Sequence, residues 1–405
     1  MGTQRYEADR TWPCVVAAYA FVVTMAGTTL PTPLYDLYQR WLNFSPFMST
    51  VIFAVYALGV IAALLLFGRL SDAIGRRPVM LAALVLSAAS ALCFLDADGL
   101  PELFAGRTLS GLSAGLVTGT ATVTVIELAP PRLRNSSTLV ATVANLGGLG
   151  LGSLLAGTLA QWAPAPLRLV FVVDLVLVAV AAAGVLGLPE TVPRTGRPPL
   201  RPERLRVPRE MRSTFVAAAM AGFAGFATLG LFTSVTPTFL LDVEDERDLA
   251  VAGGVVFSVF AASLGGQLLA QRLGIRRALP SGCALLVAGM AAIAGSLAAA
   301  LLPLLVLGAV VAGTGQGLSF HAAVRAVTQR SPAGRRAEVT SALFVLMYLA
   351  ISIPVIGVGA LSVAVGVRTA GLIFTGCVAL LATATLLRLP RHGDLEEQPA
   401  AHRGH

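Results

Sequence analysis

Long apolar runs alternate along this chain with short connections rich in arginine and proline. Each run is close to the ~20 residues that an α-helix needs to cross the hydrocarbon core of a bilayer. Twelve are read, at 13–34, 47–67, 79–96, 101–126, 138–160, 169–188, 214–241, 250–271, 279–299, 301–327, 339–361 and 367–388. None shows the polar–apolar alternation of a membrane β-strand. The pattern predicts an all-α integral membrane protein. Arg5, Glu7, Asp9 and Arg10 precede the first run and no small-residue cleavage site follows it, so that span is expected to be retained.

Composition sharpens this. Of 405 residues, 56% are hydrophobic and 12% charged, about half the charge of a soluble domain. That excludes a cytosolic globule and a disordered chain. Cys14, Cys93, Cys283 and Cys377 sit in apolar runs without CxxC spacing, and three of the four histidines fall in the last fourteen residues. Neither a disulfide framework nor a metal site is expected, and no cofactor.

All 29 basic residues are arginine. They are scattered through short loops, a topology signal rather than a nucleic-acid footprint. With the N-terminus inside, cytoplasmic segments hold 24 of them; Arg40, Arg168, Arg247 and Arg368 are external and Arg107 lies within a span. The asymmetry puts both termini in the cytoplasm of a multi-pass protein of the cell membrane.

Segment 189–213, with six prolines and seven arginines, reads as an extended cytoplasmic linker at the midpoint. It separates an N-terminal unit, 1–188, from a C-terminal unit, 214–388, followed by a tail, 389–405. The two sides look duplicated. Gly106, Gly111 and Gly115 in the fourth span repeat as Gly308, Gly313 and Gly317 in the tenth, and Gly75-Arg76-Arg77 has its counterpart at Gly274–Arg277. Two related six-helix halves imply a substrate site at their interface, opened alternately to each side.

Residues 68–81 carry Gly68, Asp72, Gly75, Arg76 and Arg77 at the positions of the pattern G-x-L-a-D-r-x-G-R-[RK]-x-x-x-L. The segment resembles the signature that joins spans two and three in the major facilitator superfamily. The glycines allow a tight turn and close helix approach. Asp72 can accept from a helix N-terminus, and Arg76 and Arg77 can hold an acid in a forked ion pair, with Glu127 the expected partner. In the family such a cluster latches the halves in the outward-open state. The alternative is that the two arginines only anchor the loop on the positive side. Gln271 replaces Asp72 in the second copy.

The fourth span, Gly106-Arg107-Thr108-Leu109-Ser110-Gly111, is similar to a second family signature. An arginine within a span costs about 2.5–3.5 kcal/mol at the bilayer centre, so it needs a partner, a wet cavity or a short route to the surface. The resemblance implies a place near proton-coupling groups, and Asp36 and Asp174 are the acids at comparable depth. Tyr35, Tyr38 and Trp41 around Asp36 read as an interfacial belt. The fifth span, with Gly147, Gly148, Gly150, Gly152 and Gly157, resembles the drug/proton-antiporter signature ending G-P-x-x-G-G, with Ser153 for the proline and Ala156 for the first of the last two glycines. Close helix packing is the competing reading of these glycines.

The family arrangement puts spans one, four, seven and ten on the cavity. Phe223, Phe226, Gln316, Phe320 and His321 are then the expected lining, an aromatic and weakly polar one suited to an amphiphile rather than a sugar. The leading expectation is proton-coupled efflux of small hydrophobic or amphiphilic compounds by a monomer whose partners are the substrate, protons and the lipid bilayer. A proton symporter of a metabolite or organic acid is the alternative. A membrane enzyme or sensor is the remote one, since no HExxH, P-loop or nucleophile elbow occurs.

Overall fold

The computed structural model describes residues 11–68, 70–192, 205–235, 239–240 and 248–388. Among them the regular structure is entirely helical. The spanning helices are α1 (Trp12–Thr29), α2 (Pro46–Phe67), α3 (Arg76–Leu95), α4 (Leu100–Glu127), α5 (Ser137–Trp162) and α6 (Pro166–Leu186). They are followed by α7 (Arg212–Ser234), α8 and α9 (the arms 249–273 and 275–299 of Leu249–Ala299), α10 (Leu302–Arg330), α11 (Arg336–Val365) and α12 (Val367–Arg388). Local chemistry sets several starts. Proline occupies the first turn of α2, α4, α6 and α10, where its missing N–H costs nothing, and the Ser45 hydroxyl caps α2 by accepting from Met48 N–H.

Two boundaries differ from the sequence reading. The first span ends at Thr29, and a 3-10 turn (Thr32–Leu34) leads into a short helix, Tyr35–Leu42. Spans eight and nine are two helices, as expected, but within the helical run Leu249–Ala299 they meet at a single residue instead of a longer loop. The run is not straight, because Gly274 (φ 69°, ψ 167°) breaks it. Only a residue without a Cβ takes that conformation readily, so one glycine does the work of a loop. The arms point opposite ways. Along α10, Gly313 meets Val259 and Gly317 meets Ser263 of α8, in ascending order. On α9 the order reverses, Gly282 against Ser319 and Gly289 against Ala312.

The first half repeats this design. Gly75 (φ 103°, ψ 158°) precedes α3 as Gly274 precedes α9. Gly111 abuts Tyr56 and Gly59 of α2, and the Ser90 hydroxyl of α3 donates to the Gly106 carbonyl of α4 at 2.8 Å. A Cβ on Gly59 would stand 2.6 Å from the Thr108 carbonyl oxygen, so only glycine permits this helix spacing. One buried core joins α1–α6 around Phe21, Val60, Met80 and Val117, and another joins α7–α12 around Phe232, Val259, Met290 and Phe374. Val15, Leu58, Val85 and Leu380 project outward, an apolar exterior that suits lipid. These are two pseudo-symmetric bundles of six helices.

The halves touch along two seams. On α5, Gly157 lies against Leu249 and Gly253 of α8. On α11, the Ser352 hydroxyl donates to the Ala54 carbonyl of α2 at 3.3 Å, and Gly359 abuts Thr50. Both seams lie at the end of the bundle away from Arg76 and Glu127. Residues 193–204 of the linker expected at 189–213, and the tail expected at 389–405, lie outside the described residues.

Candidate functional site

Between the halves lies a cavity of about 310 Å³. As expected, α1, α4, α7 and α10 contribute to it, through Thr28, Thr118, Phe226 and Gln316 among others. The other contributors are α2, α5, α8 and α11. Phe226, Gln316 and Phe320 line it, whereas Phe223 and His321 do not. The sequence reading missed Tyr56, Thr142, Phe344 and Tyr348. Four of its rings are contiguous: Phe226 lies 5.4 Å from Phe320 and 6.3 Å from Tyr348, and Phe320 lies 6.2 Å from Phe344. Among the described residues no charged side chain lines the cavity. It reaches toward the arginine-rich end, as far as Thr122 near the close of α4 and Thr138 at the start of α5. The seams at Gly157 and Ala54 close the other end.

At the arginine-rich end the signature residues converge. The Arg76 guanidinium bridges Asp72, on the short helix Leu70–Ile74, and Glu127 of α4, the latter at 3.3 Å. It also donates to the Ser71 hydroxyl at 2.7 Å. Arg77 departs from expectation. Its main-chain N–H donates to Glu190 at 3.3 Å, and its side chain forms no ion pair among the described residues. Gly68 has ordinary helical angles (φ −54°, ψ −26°), so Gly75 alone uses glycine's freedom. The Glu190 carboxylate occupies the space that a Gly75 side chain would need. Glu190 caps α3 by accepting from Arg76 N–H at 2.7 Å, an anion at a helix N-terminus. The Thr191 hydroxyl donates to Glu127 at 2.6 Å. Neither Glu190 nor Thr191 was singled out from sequence. Every partner here belongs to the first half or to the start of the linker that follows it.

Arg107 is wholly buried and does not reach the surface. Its Nε donates to the Tyr35 hydroxyl and one terminal nitrogen donates to the Thr28 carbonyl at 2.7 Å. The other terminal nitrogen has no partner. The rings of Tyr35, Phe53 and Phe94 lie 5.1, 5.6 and 5.8 Å from the guanidinium carbon, so π-faces take the place of a counter-ion. Neither acid expected near it forms an ion pair with it. Asp36 pairs with Arg40 at 2.8 Å, one turn along the same short helix. Asp174 is buried on α6 with one carboxylate oxygen unpartnered, facing Gly27 of α1 beside Ser87 of α3. The aromatic belt is a correction too. Tyr35 and Tyr38 are buried, the latter donating to the Phe94 carbonyl at 2.7 Å, and only Trp41 is exposed.

A family model described as Major Facilitator Superfamily matches residues 15–353. The multidrug transporter MdfA of Escherichia coli O6:H1 is 28% identical over 286 residues, 67% of this chain and 66% of its own length. MdtD of Klebsiella pneumoniae, named for multidrug resistance, is 26% identical over 156 residues, 38% of this chain and only 33% of the relative. Among solved structures, a bacterial homolog of the human lysosomal transporter Spinster, inward-facing and unoccupied, superimposes with a TM-score of 0.74 at 16% identity, covering 94% of this chain and 96% of the other. A D-xylose-proton symporter gives 0.72 at 18% identity over 93% and 97%. Those two likenesses concern the fold. With its signature between α2 and α3, its duplicated halves and a family match over most of its length, this chain belongs to the Major Facilitator Superfamily.

Proposed function

We propose that this protein is a secondary transporter that exports small hydrophobic or amphiphilic organic compounds in exchange for protons, by alternating access. The uncharged, aromatic cavity between the halves carries this reading. Its volume and lining suit an organic molecule held mostly by apolar contact, with a few polar groups to orient it. Uptake of an organic acid would call for a cationic side chain on the wall. Arg107 is buried behind Thr28 and Phe53, so export is favoured over that alternative. The similarity to MdfA and MdtD points the same way.

Arginine asymmetry assigns the open end to the cytoplasm, so the conformation is the one that loads substrate from inside. The Arg76 cluster then acts in the opposite state, bridging to the second half when the cytoplasmic end closes; here none of its partners lies in the second half among the described residues. Asp36 takes up the proton. Protonation breaks its pair with Arg40 and loosens the short helix whose Tyr35 holds Arg107, linking the proton to α4 without direct contact. The chain has no P-loop, so an ion gradient or the substrate itself drives transport. In proteoliposomes a fluorescent aromatic amphiphile should move against a proton gradient and stop with an uncoupler. Dependence on sodium rather than protons would refute the coupling, and co-directional movement would refute export.

A further inference from the structure

The two walls of the cavity differ in chemistry. The second half supplies the ring cluster of Phe226, Phe320, Phe344 and Tyr348. The first half supplies threonines from α4 and α5, and three of them have their hydroxyl hydrogens already committed. Thr118 donates to the Ala114 carbonyl at 2.7 Å, Thr122 to the Thr118 carbonyl at 2.6 Å, and Thr142 to the Thr138 carbonyl at 2.9 Å. A hydroxyl has one hydrogen to give and lone pairs to spare. Once that hydrogen is turned back onto the helix, only lone pairs face the cavity. To donate to a ligand, each threonine would have to give up an existing hydrogen bond.

The other polar side chains of the lining, Tyr56, Asn145, Gln316 and Tyr348 among them, do not alter these three hydroxyls. Asn145, also on the α5 wall, can turn either end of its amide inward. Across the cavity, Gln316 has its carbonyl oxygen taken by the Ser263 hydroxyl. The threonine wall is therefore an acceptor surface facing an aromatic one.

Resting on the export reading, we propose that the cavity selects aromatic amphiphiles carrying a hydrogen-bond donor head, an O–H or N–H. The head meets Thr118, Thr122 and Thr142, and the ring body lies on the wall formed by α7, α10 and α11. Compounds of the same shape whose polar atom can only accept are disfavoured. Thr118, Thr122 and Thr142 are thus specificity-determining residues.

The test compares phenanthrol with its methyl ether, by calorimetric titration of the purified full-length protein. The ether is the more apolar of the two, so burial alone would favour it. The acceptor wall reverses that order: phenanthrol should bind about threefold tighter, the worth of one net hydrogen bond less that of the added methyl group. Replacing the hydroxyls isosterically, with Thr118→Val, Thr122→Val and Thr142→Val together, should remove the preference. Phe320→Ala should weaken both ligands alike. Equal or tighter binding of the ether to the wild type overturns the proposal, as does a preference that survives in the valine variant. Should the folded wild type bind neither compound, the assignment of the cavity to aromatic amphiphiles fails, and this proposal with it.

Discussion

Arg107 and Tyr35 are joined by a charge-assisted hydrogen bond in a fully buried setting, with no carboxylate among the described residues paired to the guanidinium. The tyrosine oxygen, the Thr28 carbonyl and three aromatic faces together stand in for a counter-ion. A buried charge depends heavily on each acceptor it has. Tyr35→Phe keeps the ring and removes the oxygen, and should lower the unfolding free energy by about 1.5–3 kcal/mol, the usual worth of a hydrogen bond to a charged group. Thermal unfolding of the detergent-purified protein reads this directly. An unchanged midpoint would mean that the rings alone suffice.

That relationship was not legible in the sequence, and the reason is physical. A bilayer demands long apolar runs and biases arginine to one side, so spans and topology stand out in a single chain. Helical phase does not. In a helix apolar on all faces, nothing in the pattern separates cavity from lipid. Phe223 and His321 were therefore expected on a wall that Phe344 and Tyr348 occupy instead. Tyr35 and Tyr38, beside Trp41 at a span end, carry the composition of an interfacial belt although both are buried. Glu190 and Thr191 sit at the start of the arginine-rich linker, and only tertiary structure brings them to Arg76 and Glu127. The signature glycines and the repeat were readable because tight turns and close helix crossings leave residue types little choice.

The seam between Gly157 and Gly253 should control which end opens. A side chain at Gly253 would press on the Ser153 carbonyl of α5. Gly253→Val should penalise the observed state by about 1–3 kcal/mol, the usual cost of overpacking, and shift the population about 5–150-fold toward the opposite opening. Thr29→Cys, placed on the cavity wall in a background without the native cysteines, offers a probe. A membrane-impermeant thiol reagent applied at the seam end should label it faster once Gly253 is replaced. Equal rates would show that this seam does not hold the end shut.

Asp72 is largely exposed beside Arg76, so their pair contributes at most about 1 kcal/mol to stability. Asp72→Asn should leave expression, insertion and melting temperature unchanged while abolishing transport in proteoliposomes. Transport at the wild-type rate would remove Asp72 from the gating cluster.

Asp36 and Asp174 separate coupling from stability. Asp36 is the more accessible acid, ion-paired to Arg40 on the helix that also carries Tyr35, so neutralising it changes the hold on Arg107. Asp36→Asn should abolish proton-driven transport while substrate binding to the purified protein remains measurable. Asp174 lacks that link to α4. Its unpartnered oxygen is buried among α1, α3 and α6, so its charge has nothing to offset desolvation. Asp174→Asn removes the charge at constant shape, and should leave coupling intact while holding or raising the melting temperature. Proton flux and thermal unfolding, measured on both variants, give four readings. Normal flux in Asp36→Asn with loss of coupling in Asp174→Asn would exchange the roles, making the α6 carboxylate the proton carrier acting on α1 at Gly27. Normal flux in both would move the coupling group elsewhere.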